Sequence, residues 1–238
     1  LAMSRLSILD VEGGHQPIFS EAEDVVAIHN GEIYNFADLR AALRDKGHRF
    51  GSTTDSEVLV HGYETWDHDL FWRLEGMFAS CIWDRRRRRL LIARDRFGEK
   101  PLFYHHGPDG ALSFSSELRS LLADPAVPRL ADTTALGHYL RVGFVPEPAT
   151  GFRHVRALLP GHYLVWEAGE LSIRPYFTPT FKPDPRFEDD AEAEAACLAA
   201  LETAVRRQMV SDVPLGAFLS GGIDSSTVVA TMQRVATQ

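Results

Sequence analysis

Short apolar runs broken by turn residues fill most of the chain, and a helical period takes over near its C-terminal end. Residues 6–9 read as the tail of a strand, followed by a loop around Gly13, Gly14 and Pro17. Residues 25–29 form a second apolar run that Asn30-Gly31, a strong turn dipeptide, is expected to interrupt. Asn35 is placed to cap a helix carrying Phe36, Leu39 and Leu43 on one stripe and ending near Gly47. Residues 56–66 repeat apolar positions at helical spacing, and a further short helix is expected over 70–74.

Sheet segments follow at 77–83, 90–93, 101–104 and 112–115. Five arginines, Arg85 to Arg89, separate the first two. A short basic run without a wider basic face is read as a solvated hairpin loop, not a nucleic-acid footprint. Residues 117–123 and 133–142 read as helices, the second capped by Asp132 or Thr133. Residues 162–177 read as a hairpin turning at Ala168-Gly169. Residues 178–190 hold three prolines and several charges and form the best linker in the chain. A long alanine-rich helix is expected over 191–209, then a strand at 215–219 and a helix over 227–232. Strand-rich first and helix–strand–helix afterwards predicts two domains of different class.

The net charge is −8, from 33 acidic residues against 25 Lys plus Arg. That balance argues against nucleic acid or an anionic membrane as the main partner. Two cysteines, Cys81 and Cys197, make no disulfide framework, which predicts a reducing, cytoplasmic setting. No apolar run approaches a membrane span, and no signal peptide pattern opens the chain. The ten histidines show no zinc-like spacing with one another or with cysteine, so no metal centre is expected among them. Neither cysteine lies in an electropositive setting that would make it a nucleophile.

Candidate chemistry sits in four short stretches. Residues 211–226 read S-D-V-P-L-G-A-F-L-S-G-G-I-D-S-S. An apolar run, the glycines Gly221 and Gly222, and a helix start make a phosphate cradle of backbone N–H groups. Ser220, Ser225 and Ser226 add hydroxyl donors, and Asp224 is placed to hold Mg²⁺ against a pyrophosphate. This is not the Walker-type loop, which needs a lysine after its last glycine. Near the other end, Arg5 at a strand mouth suits clamping a carboxylate or is a surface residue. Asn30 and Gly31 offer an amide and an N–H suited to an oxyanion hole, or form a plain turn. Asp55 ends Gly51-Ser52-Thr53-Thr54-Asp55, to receive an ammonium group or to cap a helix.

Taken together, these stretches resemble the glutamine-hydrolysing asparagine synthetase family. Arg5-Leu6-Ser7-Ile8, Asn30-Gly31-Glu32-Ile33-Tyr34-Asn35 and Gly51-Ser52-Thr53-Thr54-Asp55 are similar to the glutamine-pocket motifs of class II amidotransferases. Arg94-Asp95-Arg96-Phe97-Gly98-Glu99-Lys100-Pro101-Leu102, Pro160-Gly161-His162-Tyr163 and the loop at 211–226 are similar to the asparagine synthetase branch. The resemblance implies an N-terminal-nucleophile αββα sandwich of antiparallel sheets over 1–177, a linker over 178–190, and the start of an α/β ATP-pyrophosphatase domain over 191–238. It implies that Arg5 holds the α-carboxylate of glutamine beside Ser7 and Ile8, and that Glu32 and Asp55 receive its α-ammonium. The Asn30 amide and Gly31 N–H would form the oxyanion hole. Phe218 and Leu219 would border adenine, with Ser220, Gly221, Gly222, Asp224, Ser225 and Ser226 at the phosphates and Mg²⁺.

The activity implied is asparagine synthesis from aspartate, ATP and glutamine, by an enzyme that is a homodimer when intact. The family's nucleophile is an N-terminal cysteine, which this chain lacks. The resemblance therefore implies a piece of a longer enzyme, truncated at both ends and inactive alone, with the aspartate site beyond Gln238. The alternatives are a relative that amidates another carboxylate, such as a sugar or polymer precursor, and a non-catalytic glutamine-binding module.

Overall fold

The computed structural model describes residues 1, 10, 13–182 and 189–236. They fall into two compact units that part between Thr178 and Pro179. Among the described residues no helix is long and apolar enough to cross a membrane.

The larger unit is built on an antiparallel sheet of six strands: β1 (Ile18–Phe19), β2 (Val25–Ile33), β3 (Gly76–Asp84), β4 (Arg89–Arg94), β8 (His162–Glu167) and β9 (Glu170–Pro175), in that spatial order. Its central strands read as near-continuous apolar runs because both faces are covered. Ala27 and Ile33 of β2, Phe78 and Ile82 of β3 and Leu91 of β4 point to one face. There they meet α1 (Phe36–Arg44), α2 (Val58–Trp66) and α3 (Leu70–Arg73), which contribute Leu39, Leu43, Leu59, Tyr63 and Phe71. The alternate residues, Ile28, Cys81, Leu90 and Ile92, point to the other face.

That second face packs on a three-stranded antiparallel sheet of order β6 (Leu112–Ser115), β5 (Phe103–His106), β7 (Arg156–Ala157). Tyr104, Leu112 and Phe114 face the large sheet, while Phe103 faces away, toward Leu118 and Leu121 of α4 (Leu118–Leu121). Helix, sheet, sheet and helix stack in four layers, the αββα arrangement that the family resemblance implies. A further helix, α5 (Thr133–Val142), starts at Asp132, whose carboxylate accepts from the N–H groups of Thr134 and Ala135 at 3.0 Å.

Three local expectations fail. Asn30-Gly31 is no turn: β2 runs through it to Ile33 and stays paired with β3 throughout. Asn35 caps nothing. Its side chain instead donates to the Arg73 carbonyl at 2.8 Å and accepts from Glu75 N–H at 3.0 Å, tying the end of β2 to the start of β3. The third failure is in the smaller unit, which holds α6 (Asp190–Gln208) and α7 (Ile223–Ala236). Residues 215–219 form no strand there. No described strand pairs with them, and a lone extended segment has no ladder to close.

The arginine run is the hairpin loop between β3 and β4. Three of its five charges meet carboxylates nearby. Arg87 and Arg89 reach Asp67 at 2.6 and 2.9 Å, and Arg86 pairs with Asp24.

Candidate functional site

Strand alternation sets the geometry at the end of β2. Backbone groups of odd-numbered residues there point to the β1 edge, as the pairing of Ala27 with Ile18 shows. Beyond the short β1 this edge is closed by side chains. Gln16 accepts from His29 N–H at 2.6 Å and donates to its carbonyl at 2.9 Å. Two positions further on from Gly31, Ile33 N–H donates to Asp55 Oδ2 at 2.7 Å. Gly31 lies between, with its N–H aimed at the same edge.

Gly31 has to be glycine. Its φ is +146°, and a β-carbon would collide with the Met77 carbonyl oxygen on β3. Asn30 and Glu32 send their side chains to the opposite sheet face from His29 and Ile33. The Asn30 amide donates to Ser116 Oγ at 3.2 Å, on the wall of a cavity of about 450 Å³ between the two sheets. Ser80, Leu102, Phe114 and Glu117 also line it. Glu32 is half-buried one step past Gly31.

Asp55 is buried and heavily engaged. Besides Ile33 N–H, it accepts from Thr54 Oγ1 at 3.2 Å and Ser56 Oγ at 3.0 Å, and His29 Nε2 stands 3.7 Å away. His29 in turn contacts Ser80 Oγ at 2.8 Å through Nδ1. Loop 51–55 is fixed from two sides. Glu57 accepts from Gly51 N–H at 2.7 Å and from both the N–H and hydroxyl of Ser52. Arg40 donates to the carbonyls of Ser52 and Thr54 at 2.6 and 2.7 Å. Burial alone would raise the Glu57 carboxyl. The His61 ring and the donors of Ser52 and Gly51 outweigh it and hold the group at about 2.

A second buried carboxylate shapes the same end of β3 from its β4 side. Asp95 accepts from the N–H groups of Phe78, Phe97, Glu99 and Lys100, and Arg94 donates to the carbonyls of Gly98, Lys100 and Leu158. The motif 94–102 is thus a turn wound about its own charges.

The structure therefore gathers Asn30, Gly31, Glu32 and Asp55 at one strand end. Arg5, Ser7 and Ile8 lie outside the described residues. Sequence reasoning missed Gln16, Arg40, Glu57 and Ser116, whose contacts are long-range and carry no local pattern. It also missed a convergence of metal-ligating groups, His48, His61 and Glu64, whose donor atoms lie within 4.8 Å of one another. In sequence His48 stands apart, and only the helical i, i+3 spacing of His61 and Glu64 signals it.

In the smaller unit, residues 220–226 form a compact turn at the N-terminus of α7. Ser220 Oγ and Ser225 Oγ lie 2.9 Å apart, Ser225 donates to Gly222 O, and Gly221 takes φ +80°. Asp224 is exposed in the first helical turn, and Phe218 and Leu219 are fully or mostly exposed before it.

Residues 1–177 match the family model described as a glutamine amidotransferase domain, and residues 196–238 match the one described as asparagine synthase. The chain is 40% identical over 229 residues to asparagine synthetase (glutamine-hydrolyzing) 3 of Bacillus subtilis, and 41% identical over 227 residues to number 1 of the same strain. These alignments cover 95% of this chain but 37% and 35% of the relatives. A putative asparagine synthetase of Methanocaldococcus jannaschii is 34% identical, over 96% of this chain and 47% of its own length. The chain thus spans less than half the length of these curated relatives. Among solved structures, a glutamine phosphoribosylpyrophosphate amidotransferase of B. subtilis aligns with 92% of this chain and 47% of its own, at 17% identity and a TM-score of 0.48.

Proposed function

The chain belongs to the glutamine amidotransferase domain family, and from that premise we propose that it forms the glutamine-binding wall of a glutamine-hydrolysing asparagine synthetase. The observation that carries this reading is the Gly31 N–H, aimed at the β1 edge of β2 between Gln16 and Asp55, with the Asn30 amide one residue away. Two donors from adjacent residues suit the oxyanion of a tetrahedral intermediate.

In this reading a cysteine thiol from outside residues 1–238 attacks the side-chain amide of glutamine. A thioester forms, ammonia leaves, and water releases glutamate. Glu32 and Asp55 receive the α-ammonium, and Arg5, Ser7 and Ile8 hold the α-carboxylate. Domain limits of 1–177 and 191–238, joined by 178–190, accompany the proposal. Aspartate and ATP would give β-aspartyl-AMP and pyrophosphate in the second domain, and ammonia would displace AMP to yield asparagine.

The turn at 220–226 fits the phosphates of ATP. Gly221 and Gly222 present no side chain, two hydroxyls converge, and the start of α7 leaves N–H groups without intrahelical partners. Phe218 and Leu219 would cover the adenine, and Ser220, Gly221, Gly222, Ser225 and Ser226 the phosphates. Asp224 supplies one carboxylate. That suits Mg²⁺, which fills its remaining positions with water and phosphate oxygens and neutralises phosphate charge when bound.

Calorimetric titration of the chain with glutamine tests the reading. Saturable heat at millimolar glutamine, lost in Glu32→Gln, supports it. Absence of heat, or heat unchanged by that substitution, overturns it.

A further inference from the structure

We propose that His48, His61 and Glu64 form a binding site for a divalent transition-metal ion of the zinc class. Their donor atoms already stand at coordination spacing. His48 Nδ1 lies 3.2 Å from His61 Nδ1, and Glu64 Oε2 lies 3.5 Å from the first and 3.6 Å from the second. Ligands about 2.0–2.1 Å from a tetrahedral centre stand roughly 3.4 Å apart, so this triangle is one face of such a shell.

The surroundings fix the tautomers that coordination requires. Thr65 Oγ1 donates to the His61 carbonyl at 3.0 Å, so its oxygen accepts from His48 Nε2 at 2.8 Å. That places the His48 proton on Nε2 and leaves Nδ1 as a lone pair. His61 Nε2 is buried without a hydrogen bond, and the Glu57 carboxylate lies 3.6 Å from it. A proton on Nε2 is favoured there, which again frees Nδ1. Two lone pairs 3.2 Å apart repel unless a cation or a shared proton lies between them. Glu57 and Thr65 then serve as the outer partners that orient metal-bound imidazoles.

Two imidazoles and one carboxylate select zinc-like ions over Mg²⁺ or Ca²⁺, which prefer all-oxygen shells. The fourth position is open. His48, Glu64 and Thr65 lie on the wall of a cleft of about 770 Å³, whereas His61 is buried behind them. A bound ion would tie the segment after α1 to α2, and it would sit behind Glu57, which holds Gly51 and Ser52.

Co²⁺ titration of the chelator-stripped chain tests the site. The expected result is one equivalent, with the intense visible bands of four-coordinate Co²⁺, displaced by Zn²⁺ and not by Mg²⁺. His48→Ala and Glu64→Gln, both at residues with some exposure, remove or weaken these bands by at least about tenfold in affinity while the far-UV dichroism is kept. Thr65→Val, which removes only the outer partner, weakens binding about 10- to 100-fold. His138→Ala, on the exposed face of α5, leaves it unchanged. No saturable bands would mean that the two histidines share a proton instead, and the proposal falls. It falls equally if the bands persist unchanged in His48→Ala and Glu64→Gln.

Discussion

Gly31 on β2 lies against the backbone of Met77 on β3 so closely that a β-carbon has no place between them, and its φ of +146° is one that side chains rarely adopt. Gly76 meets the Glu32 carbonyl in the same way from the other strand. Gly31→Ala must therefore part the strands or bend β2. The strained dihedral alone costs about 1–3 kcal/mol, and the backbone collision adds to it. A fall of that size or more in unfolding free energy is expected in urea titration. A change below about 0.5 kcal/mol would show that the strands yield freely there.

Asn30 calls for the opposite pattern. Among the described residues its amide donates to the Ser116 hydroxyl, and Ser116 is only half-buried. Little folding energy rests on that bond. If the amide faces the developing oxyanion, Asn30→Ala lowers the glutaminase kcat of the intact enzyme about 10²–10³-fold. The melting temperature stays near that of the parent. A kcat within threefold of the parent removes Asn30 from the oxyanion hole.

Glu57 acts through the loop it holds. Oε1 accepts from Gly51 N–H and Oε2 from both donors of Ser52. Glu57→Gln puts an NH₂ group against one of these donor sets and leaves it unpaired. A loss of about 1–3 kcal/mol is expected in denaturant unfolding. Because loop 51–55 carries Asp55, the KM for glutamine should rise more than kcat falls. The reverse split would place Glu57 in the chemical step.

Much of this was legible from the chain. The β3–β4 and β8–β9 hairpins and the Asp132 cap follow from local pattern, and the family and the four-layer fold from the motifs' resemblance to the asparagine synthetases. The errors share one physical cause. Asn30-Gly31 is a turn dipeptide in isolation, but pairing with β3 along its full length overrides that preference. Asn35 is a good cap by type, yet two backbone groups near α3 claim its amide first. The 215–219 run has strand composition and no described partner. The histidine pair was missed because His48 and His61 meet only once α2 packs beside the segment that follows α1. Each depends on a tertiary contact that neither spacing nor composition encodes.

The two cysteines should differ sharply in reactivity. Cys197 is exposed on α6, whereas Cys81 is buried in β3 at 2% exposure, between the large sheet and the smaller one. Burial pushes the Cys81 thiol far above the ordinary thiol range, so the reactive thiolate is scarce at neutral pH. Raising the pH to 9 does not reach that range, and so should not expose Cys81 to attack. An aromatic disulfide reagent is therefore expected to modify one thiol per folded chain across pH 7–9, and two once the chain is unfolded in urea. Cys197→Ser should leave no fast-reacting thiol. Rapid modification of Cys81 in that folded variant would show that the sheets open on the timescale of labelling, and would return Cys81 to consideration as a nucleophile.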